Sequence, residues 1–185
     1  MNLGPTLITA RLILRPPTQE DFDGFASMAQ EEDTMRFIGG ALPRDAAWRG
    51  MAALTGSWAL LGYSMFSVIE KETGEWIGRL GPWRPGGKEG GWPGDEVGWG
   101  LKRAAMGKGY AAEGATAAID WAFENLGWDH VIHSIDKANA PSIALALRLG
   151  SKRERENVLL PPPFATVKVD IYGQSRAEWR ARPRG

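Results

Sequence analysis

The sequence predicts a mixed α+β fold, in which a mostly antiparallel sheet is flanked by helices. The chain has 185 residues, which is the size of one domain with its own core. Apolar residues alternate in some segments, as in strands, and recur every three or four positions in others, as in helices. The short polar turn at residues 71–74 joins two strand-like segments and predicts an antiparallel hairpin. We therefore expect a single domain over residues 1–185.

Each predicted element is bounded by a proline, a glycine or a capping residue. Pro16 ends the first strand, and Gly62 and Gly127 end two of the helices. In chain order we expect a strand over residues 6–15, a helix from Thr18, a helix over 43–61, strands over 63–70, 75–83 and 95–101, a helix over 107–126, a strand over 131–136, a helix over 139–149 and a strand over 167–172. Residues 84–94 are predicted to form a loop, and residues 158–160 are a candidate short strand. Residues 176–185 are predicted to form a solvated tail.

Composition excludes several classes of function. The 22 basic and 22 acidic residues give a formal net charge of +0, so we expect neither a nucleic-acid partner nor an anionic membrane. The absence of cysteine excludes disulfides, thiolate catalysis and thiolate metal sites. No stretch approaches the ~20 apolar residues of a membrane span, which favours a cytoplasmic location. His130 and His133 bracket a strand without a third ligand, so no metal is expected.

The most informative segment is the glycine turn at residues 107–109. Gly107 and Gly109 let the backbone turn with its N–H groups on one side, at the start of a helix with further free donors. Such a site suits a pyrophosphate, and Lys108 adds positive charge. With Ala112 the turn also matches the Gly-x-Gly-x-x-Ala dinucleotide pattern, which makes a nicotinamide oxidoreductase an alternative. That alternative is disfavoured because the turn follows three antiparallel strands and leaves too little chain for a Rossmann sheet.

Five segments share their order and spacing with one known family. In chain order they are Thr9-Ala10-Arg11-Leu12-Ile13-Leu14-Arg15, Glu96-Val97-Gly98-Trp99-Gly100-Leu101, Gly107-Lys108-Gly109-Tyr110-Ala111-Ala112-Glu113-Gly114, Asn139-Ala140-Pro141-Ser142 with Arg148-Leu149-Gly150, and Tyr172 with Glu178-Trp179. In these segments, which span almost the whole chain, the sequence resembles the GNAT acetyltransferases, specifically their RimJ/RimL-like branch. The resemblance implies a mixed, mostly antiparallel sheet of six or seven strands, splayed between the fourth and fifth and flanked by about four helices.

The resemblance also implies a reaction and its ligands. Acetyl-CoA would donate an acetyl group to a primary amine, on a protein N-terminus or a small molecule, by direct attack in a ternary complex. A non-catalytic CoA-binding module is the remaining alternative, and a homodimer is a further expectation for this fold. The residues implied to bind the co-substrate are Trp99, Gly100, Leu101, Met106, Gly107, Lys108, Gly109, Tyr110, Ala111, Asn139 and Ser142.

Specific roles follow for a few side chains. Glu96 is the candidate general base because it lies on the matched fourth strand near the splay, and its alternative is an ordinary strand carboxylate. Ser142 is the candidate donor of a proton to the leaving thiolate, whereas helix capping is the alternative for Asn139 and Ser142. Trp83 and Trp92 are expected to wall the acceptor pocket, with core packing as their alternative. An α-amine, with a pKa near ~8, demands less of a base than a lysine near ~10.4.

Overall fold

The computed structural model describes residues 3–87, 89–162 and 164–182. The strands in these residues are β1 (Leu7–Ile8), β2 (Leu12–Arg15), β3 (Phe66–Glu70), β4 (Trp76–Trp83), β5 (Glu96–Leu101), β6 (His130–Ile135), β7 (Lys152–Leu159) and β8 (Lys168–Ser175). The α-helices are α1 (Phe22–Ala29), α2 (Glu32–Met35), α3 (Arg44–Leu61), α4 (Tyr110–Asn125), α5 (Ala140–Arg148) and α6 (Arg176–Ala181). None of these helices is long and apolar enough to cross a membrane.

All the strands belong to one sheet, in the order β1-β2-β3-β4-β5-β6-β8-β7. Within the described part of the chain, β5 and β6 form the parallel pair, and every other neighbouring pair is antiparallel. The predicted fold class is therefore confirmed. The sheet has eight strands where six or seven were expected, because two segments contribute strands that their patterns did not distinguish.

The first of these segments is the predicted strand at residues 6–15, which bends into the β1–β2 hairpin. Leu7 pairs with Leu14, and the Thr9 N–H donates to the Leu12 carbonyl at 3.0 Å across the bend. Alternating apolar residues place their side chains on one face of a sheet in a single strand and in two short strands alike, so the pattern does not reveal the bend. The expected fourth and fifth strands of the family fold are consequently β5 and β6 here.

The second segment is β7, of which only residues 158–160 were a candidate strand. Its sequence from Lys152 to Asn157 is charged or polar and lacks apolar alternation. These residues are exposed at the sheet edge, and their pairing with β8 contains two register irregularities. Backbone pairing rather than side-chain burial forms this strand, and its charges discourage pairing with another chain.

The C-terminal segment also differs from the predicted solvated tail. Ser175 and Glu178 form a capping box at the start of α6. Trp179 is 1% exposed, and its Nε1 donates to Asp120 Oδ1 at 2.6 Å. Residues 176–181 are therefore docked on α4, whereas residues 183–185 lie outside the described part of the chain.

Helices cover both faces of the sheet and enclose its central strands. α4 packs on one face, where Gly114 lies so close to Leu80 of β4 that a Cβ would approach it within 2.6 Å. α1 and the first half of α3 form an apolar cluster on the other face, which includes Phe25, Met51 and Met65. Residue 96 and its neighbours on β5 therefore lie between two helical layers.

Candidate active site

The site is organised by the separation of β5 and β6. These parallel strands share one aligned pair, Glu96 with Ile132, and the Ile132 N–H donates to the Asp95 carbonyl at 2.9 Å. Beyond this pair, a side chain bridges the strands: His133 Nδ1 of β6 lies 2.7 Å from the backbone carbonyl oxygen of Val97 on β5. A cleft of about 1050 Å³ opens at this position. The splay that the resemblance implied is present.

Glu96 lies at the base of the splay and lines the cleft, although its side chain is only 4% exposed. Its Oε2 accepts hydrogen bonds from Trp92 Nε1 at 2.5 Å and Ser134 Oγ at 2.9 Å, and its Oε1 accepts one from the Ser134 N–H at 3.1 Å. Burial raises the pKa of Glu96 to about 7, against the opposing effect of these donors. A carboxyl with such a pKa can accept a proton at neutral pH. An ordinary exposed strand carboxylate is excluded.

Ser134 is a site residue that sequence reasoning missed. It follows Ile132 by two positions on β6, so both side chains point to the same face of the sheet. The residue lies on the predicted fifth strand, which the resemblance placed opposite Glu96. Its contact with the carboxylate nevertheless required the two strands, 38 residues apart, to be brought together.

The glycine turn has the backbone conformation that the sequence predicted. Gly107 and Gly109 have φ angles of 76° and 82°, in the left-handed region, and α4 begins at Tyr110. Among the residues that the structure describes, none accepts a hydrogen bond from the N–H groups of residues 107–111. A Cβ at Gly107 would meet nothing within 4 Å, so the loop is open on its outer side. These donors, with the exposed Lys108, fit a pyrophosphate.

The opening segment braces this loop, a role that sequence reasoning missed. Arg11 Nη1 donates to the Lys108 carbonyl at 2.9 Å, and its Nε donates to Glu113 Oε2 at 2.7 Å. The other Glu113 oxygen accepts from Thr9 Oγ1 at 2.6 Å, and the Arg11 guanidinium stacks over the Tyr110 ring at 4.5 Å. The signal was present, because Thr9, Arg11 and Glu113 all lie in segments that match the family.

Trp99, Asn139 and Ser142 meet at the cleft and are joined by hydrogen bonds. Trp99 Nε1 donates to Ser142 Oγ at 3.2 Å, and the Ser142 N–H donates to Asn139 Oδ1 at 3.3 Å. Asn139 therefore caps α5, as the alternative interpretation predicted, and all three residues still line the cleft. The Ser142 hydroxyl accepts the indole hydrogen and retains its own proton for donation.

The remaining residues implied to bind the co-substrate do not line the cleft. Gly100 and Leu101 pair with β4, and the Leu101 side chain lies in the core. Met106 and residues 107–109 are exposed, and Ala111 packs partly against the core at the start of α4. The loop thus follows the end of β5 at which the two strands diverge, and it lies outside the cleft lined by Glu96.

Trp83 and Trp92 both line the cleft and also pack against each other. Their ring centroids are 5.2 Å apart, and Phe164 lies 5.7 Å and 5.9 Å from the two rings. Trp92 is 6% exposed, so core packing accounts for most of its surface, whereas Trp83 is only partly buried. The pair forms an apolar wall next to Glu96.

His133 occupies the gap between β5 and β6. Its ring lies 4.8 Å from that of Trp99, and its Nε2 is buried without a partner among the described residues. Burial lowers the pKa of His133 to about 4, so the imidazole is neutral at neutral pH. Since Nδ1 donates to the Val97 carbonyl, Nε2 presents an acceptor lone pair. No cluster of three or more metal-ligating side chains occurs in the residues that the structure describes.

Comparison with known proteins agrees with this geometry. The family model for the Acetyltransferase (GNAT) domain matches residues 11–152. "Uncharacterized N-acetyltransferase p20" of Bacillus licheniformis is 31% identical over 151 residues, which cover 80% of this chain and 83% of that protein. The crystal structure of an acetyltransferase from Agrobacterium tumefaciens str. C58 has a TM-score of 0.79 at 28% identity, with 93% of this chain and 95% of that chain covered.

A more distant structure has the same fold. Mycobacterium smegmatis RimJ in complex with CoA-disulfide has a TM-score of 0.72 at 18% identity and covers 95% of this chain and 87% of that one. The family match spans both the Arg11 brace and the glycine loop, and it includes β5 and β6. On these grounds the chain belongs to the GNAT family of acetyltransferases.

Proposed function

We propose that this protein transfers an acetyl group from acetyl-CoA to a primary amine by direct attack in a ternary complex. The observation that carries the proposal is Glu96, a buried carboxyl with a pKa of about 7 that lines the cleft where β5 and β6 separate. The nicotinamide alternative is not favoured, since the sheet is mostly antiparallel and the family is that of acyltransferases.

The residues on the α4 side fit the co-substrate. The free N–H groups of residues 107–111 would hold the pyrophosphate, and Arg11 would keep their loop in place through the Lys108 carbonyl. The gap between β5 and β6, with Trp99 and Ser142 beside it, would hold the pantetheine arm. When bound there, acetyl-CoA supplies an activated acyl thioester.

Glu96 would take the proton that the acceptor amine must lose. Trp92 and Ser134 hold its carboxylate in place, so the base is positioned before the acceptor binds. Transfer from an α-ammonium with a pKa of ~8 to a carboxylate with a pKa of about 7 is uphill by only about 1 kcal/mol. The same transfer from a lysine with a pKa of ~10.4 is uphill by about 5 kcal/mol. The pKa of Glu96 is therefore better matched to an α-amine than to a lysine.

Ser142 would relay the second proton: the leaving thiolate would take the hydroxyl proton, and the proton lost by the attacking nitrogen would replace it on Ser142. Its Oγ accepts from Trp99 Nε1, which orients the hydroxyl and leaves its own hydrogen to be donated at the thiolate side of the cleft. The acceptor remains either a protein N-terminal α-amine, as the RimJ/RimL-like resemblance favours, or a small-molecule amine. The mycobacterial RimJ structure with CoA-disulfide supports the cofactor class through its fold.

Ligand-dependent thermal unfolding tests the proposal first. At ~100 times its dissociation constant, a ligand adds about 2.7 kcal/mol, so acetyl-CoA should raise the unfolding midpoint by a few degrees. NAD should have no effect, and CoA release should then be measured with an N-terminal peptide and with small amines as acceptors. No rise with acetyl-CoA, or a rise with NAD alone, would contradict the proposal, whereas binding without turnover would indicate the non-catalytic CoA-binding module.

A further inference from the structure

A charged side chain without a counter-ion lies on the acceptor side of the cleft. Arg79, on β4, is half-buried and lines this cleft. Its Nη1 donates to Met65 Sδ at 3.0 Å, and its Cζ lies 5.6 Å from the centroid of the Phe25 ring. Its Nε is buried with no hydrogen-bond partner, and no carboxylate among the described residues acts on the guanidinium. A sulfur and an aromatic face are weak partners for a guanidinium, which carries several strong N–H donors.

This arrangement is costly to the fold. Burial alone lowers the pKa of Arg79 to about 10, with no nearby carboxylate to oppose the effect. A buried charge without a partner destabilises a protein, and replacing it with an apolar residue of similar size is often stabilising. The core around it, with Phe25 and Met65, would accept such a residue. Packing therefore gives no reason for a charge at this position.

Arg79 and Glu96 face one cavity but do not neutralise each other. The side chain of Met65 lies between them: its Cε lies 2.9 Å from the point where a Cβ on Gly98 would sit, and Glu96 Oε1 lies 3.9 Å from the same point. Neither group contributes to the pKa shift of the other. The cleft thus presents a proton acceptor at one position, a cation at another and apolar walls between them.

We propose that Arg79 binds a carboxylate of the acceptor, so that the acceptor is a molecule carrying both a primary amine and a carboxylate, as an amino acid does. This inference rests on the proposed function, which supplies the acceptor amine, and adds that the acceptor molecule also carries a negatively charged carboxylate. A guanidinium matches a carboxylate with two parallel hydrogen bonds, and one negative charge offsets the positive charge of the half-buried Arg79. The amine would then lie towards Glu96 and the carboxylate towards Arg79.

The decisive experiment measures binding without turnover. Straight-chain carboxylates from butanoate to octanoate, and their uncharged amides, are titrated calorimetrically into the full-length protein and into Arg79→Met and Arg79→Lys variants. At least one carboxylate should bind the wild type at least tenfold more tightly than its amide. The preference should disappear in Arg79→Met and persist in weakened form in Arg79→Lys. Arg36→Met is the matched control, because Arg36 is an exposed cation that lines the same cleft.

Two further readouts separate this inference from the proposed function. Carboxylate binding requires neither acetyl-CoA nor transfer, so its loss in Arg79→Met stands even if no acceptor is acetylated. The unfolding midpoint of Arg79→Met should rise, by up to a few degrees, because the variant removes a half-buried charge that has no counter-ion. Equal binding of carboxylates and amides by the wild type would overturn the inference, as would an unchanged preference in Arg79→Met or an equal loss in Arg36→Met.

Discussion

The glycine loop before α4 and the acid pocket around Glu96 are built in opposite ways. The loop is exposed and presents backbone N–H groups, and Arg11, Thr9 and Glu113 support it from behind. The acid pocket is buried, and its chemistry comes from a side chain whose pKa depends on its surroundings. The comparison teaches that a backbone site depends mainly on local φ angles, whereas a side-chain site depends on what the fold packs around it.

The largest effect is expected from the acid pocket. Glu96→Gln should lower kcat/KM by about a thousandfold, because general-base catalysis contributes roughly 10² to 10⁴ in rate. The acid limb of the pH–rate profile, with an apparent pKa of about 7, should disappear in the variant. Steady-state kinetics from pH 5 to 9 provide the measurement. Glu124→Gln is the control, since Glu124 is an exposed carboxylate on α4; a wild-type-like profile in Glu96→Gln would refute the role of the base.

The burial of Glu96 should also make the free energy of unfolding depend on pH. The folded-state pKa of Glu96, about 7, lies above the ordinary value of 4.5, so the folded state binds the proton more tightly. The wild type should therefore lose stability relative to Glu96→Gln as pH rises from below 4.5 through 7, by up to about 3 kcal/mol. Urea unfolding of both proteins at pH 4, 6 and 8 measures the difference, and His133 contributes equally to each. A difference that does not vary with pH would contradict the burial argument.

The glycine loop is tested by a matched pair of glycines. Gly107 and Gly127 both have left-handed φ angles, 76° and 68°, and a Cβ at either would meet nothing within 4 Å. Valine at each position should therefore cost a similar amount of stability, about 1 to 2 kcal/mol. Only Gly107→Val should also weaken acetyl-CoA binding, by roughly tenfold, because it displaces the N–H groups of the loop. Calorimetry measures both affinities, and equal losses in the two variants would remove the loop from the site.

The smallest effect concerns a single hydrogen bond in the acid pocket. Trp92→Phe keeps an aromatic ring but removes the donor to Glu96 Oε2. The charged form of Glu96 loses support, so the apparent pKa of the acid limb should rise by about one unit. Trp83→Phe is the control, since that residue belongs to the same aromatic cluster without bonding to the carboxylate. An unchanged limb in Trp92→Phe would show that the indole does not tune the base.

Local features of this protein were predictable from the sequence. The glycine turn, the Asn139 cap and the hairpin at residues 71–74 each depend on a few neighbouring residues. The family segments also located Glu96 and the strands that separate beside it. β7 was mostly missed because its charged residues carry no strand pattern, and α6 because Trp179 becomes buried only against α4.

What the sequence by itself determined is the fold class, the family resemblance and the identity of the loop, since these rest on short-range conformational preferences and ordered motifs. Only the tertiary structure decided which distant side chains meet in the cleft and behind the glycine loop. Ser134 reaches Glu96 across 38 residues, and Arg11 reaches Glu113 across 102. Burial raises the pKa of Glu96, and Arg79 lacks a counter-ion because Met65 and Phe25 pack against it. No stretch of neighbouring residues can specify either feature, because both depend on distant segments packed together.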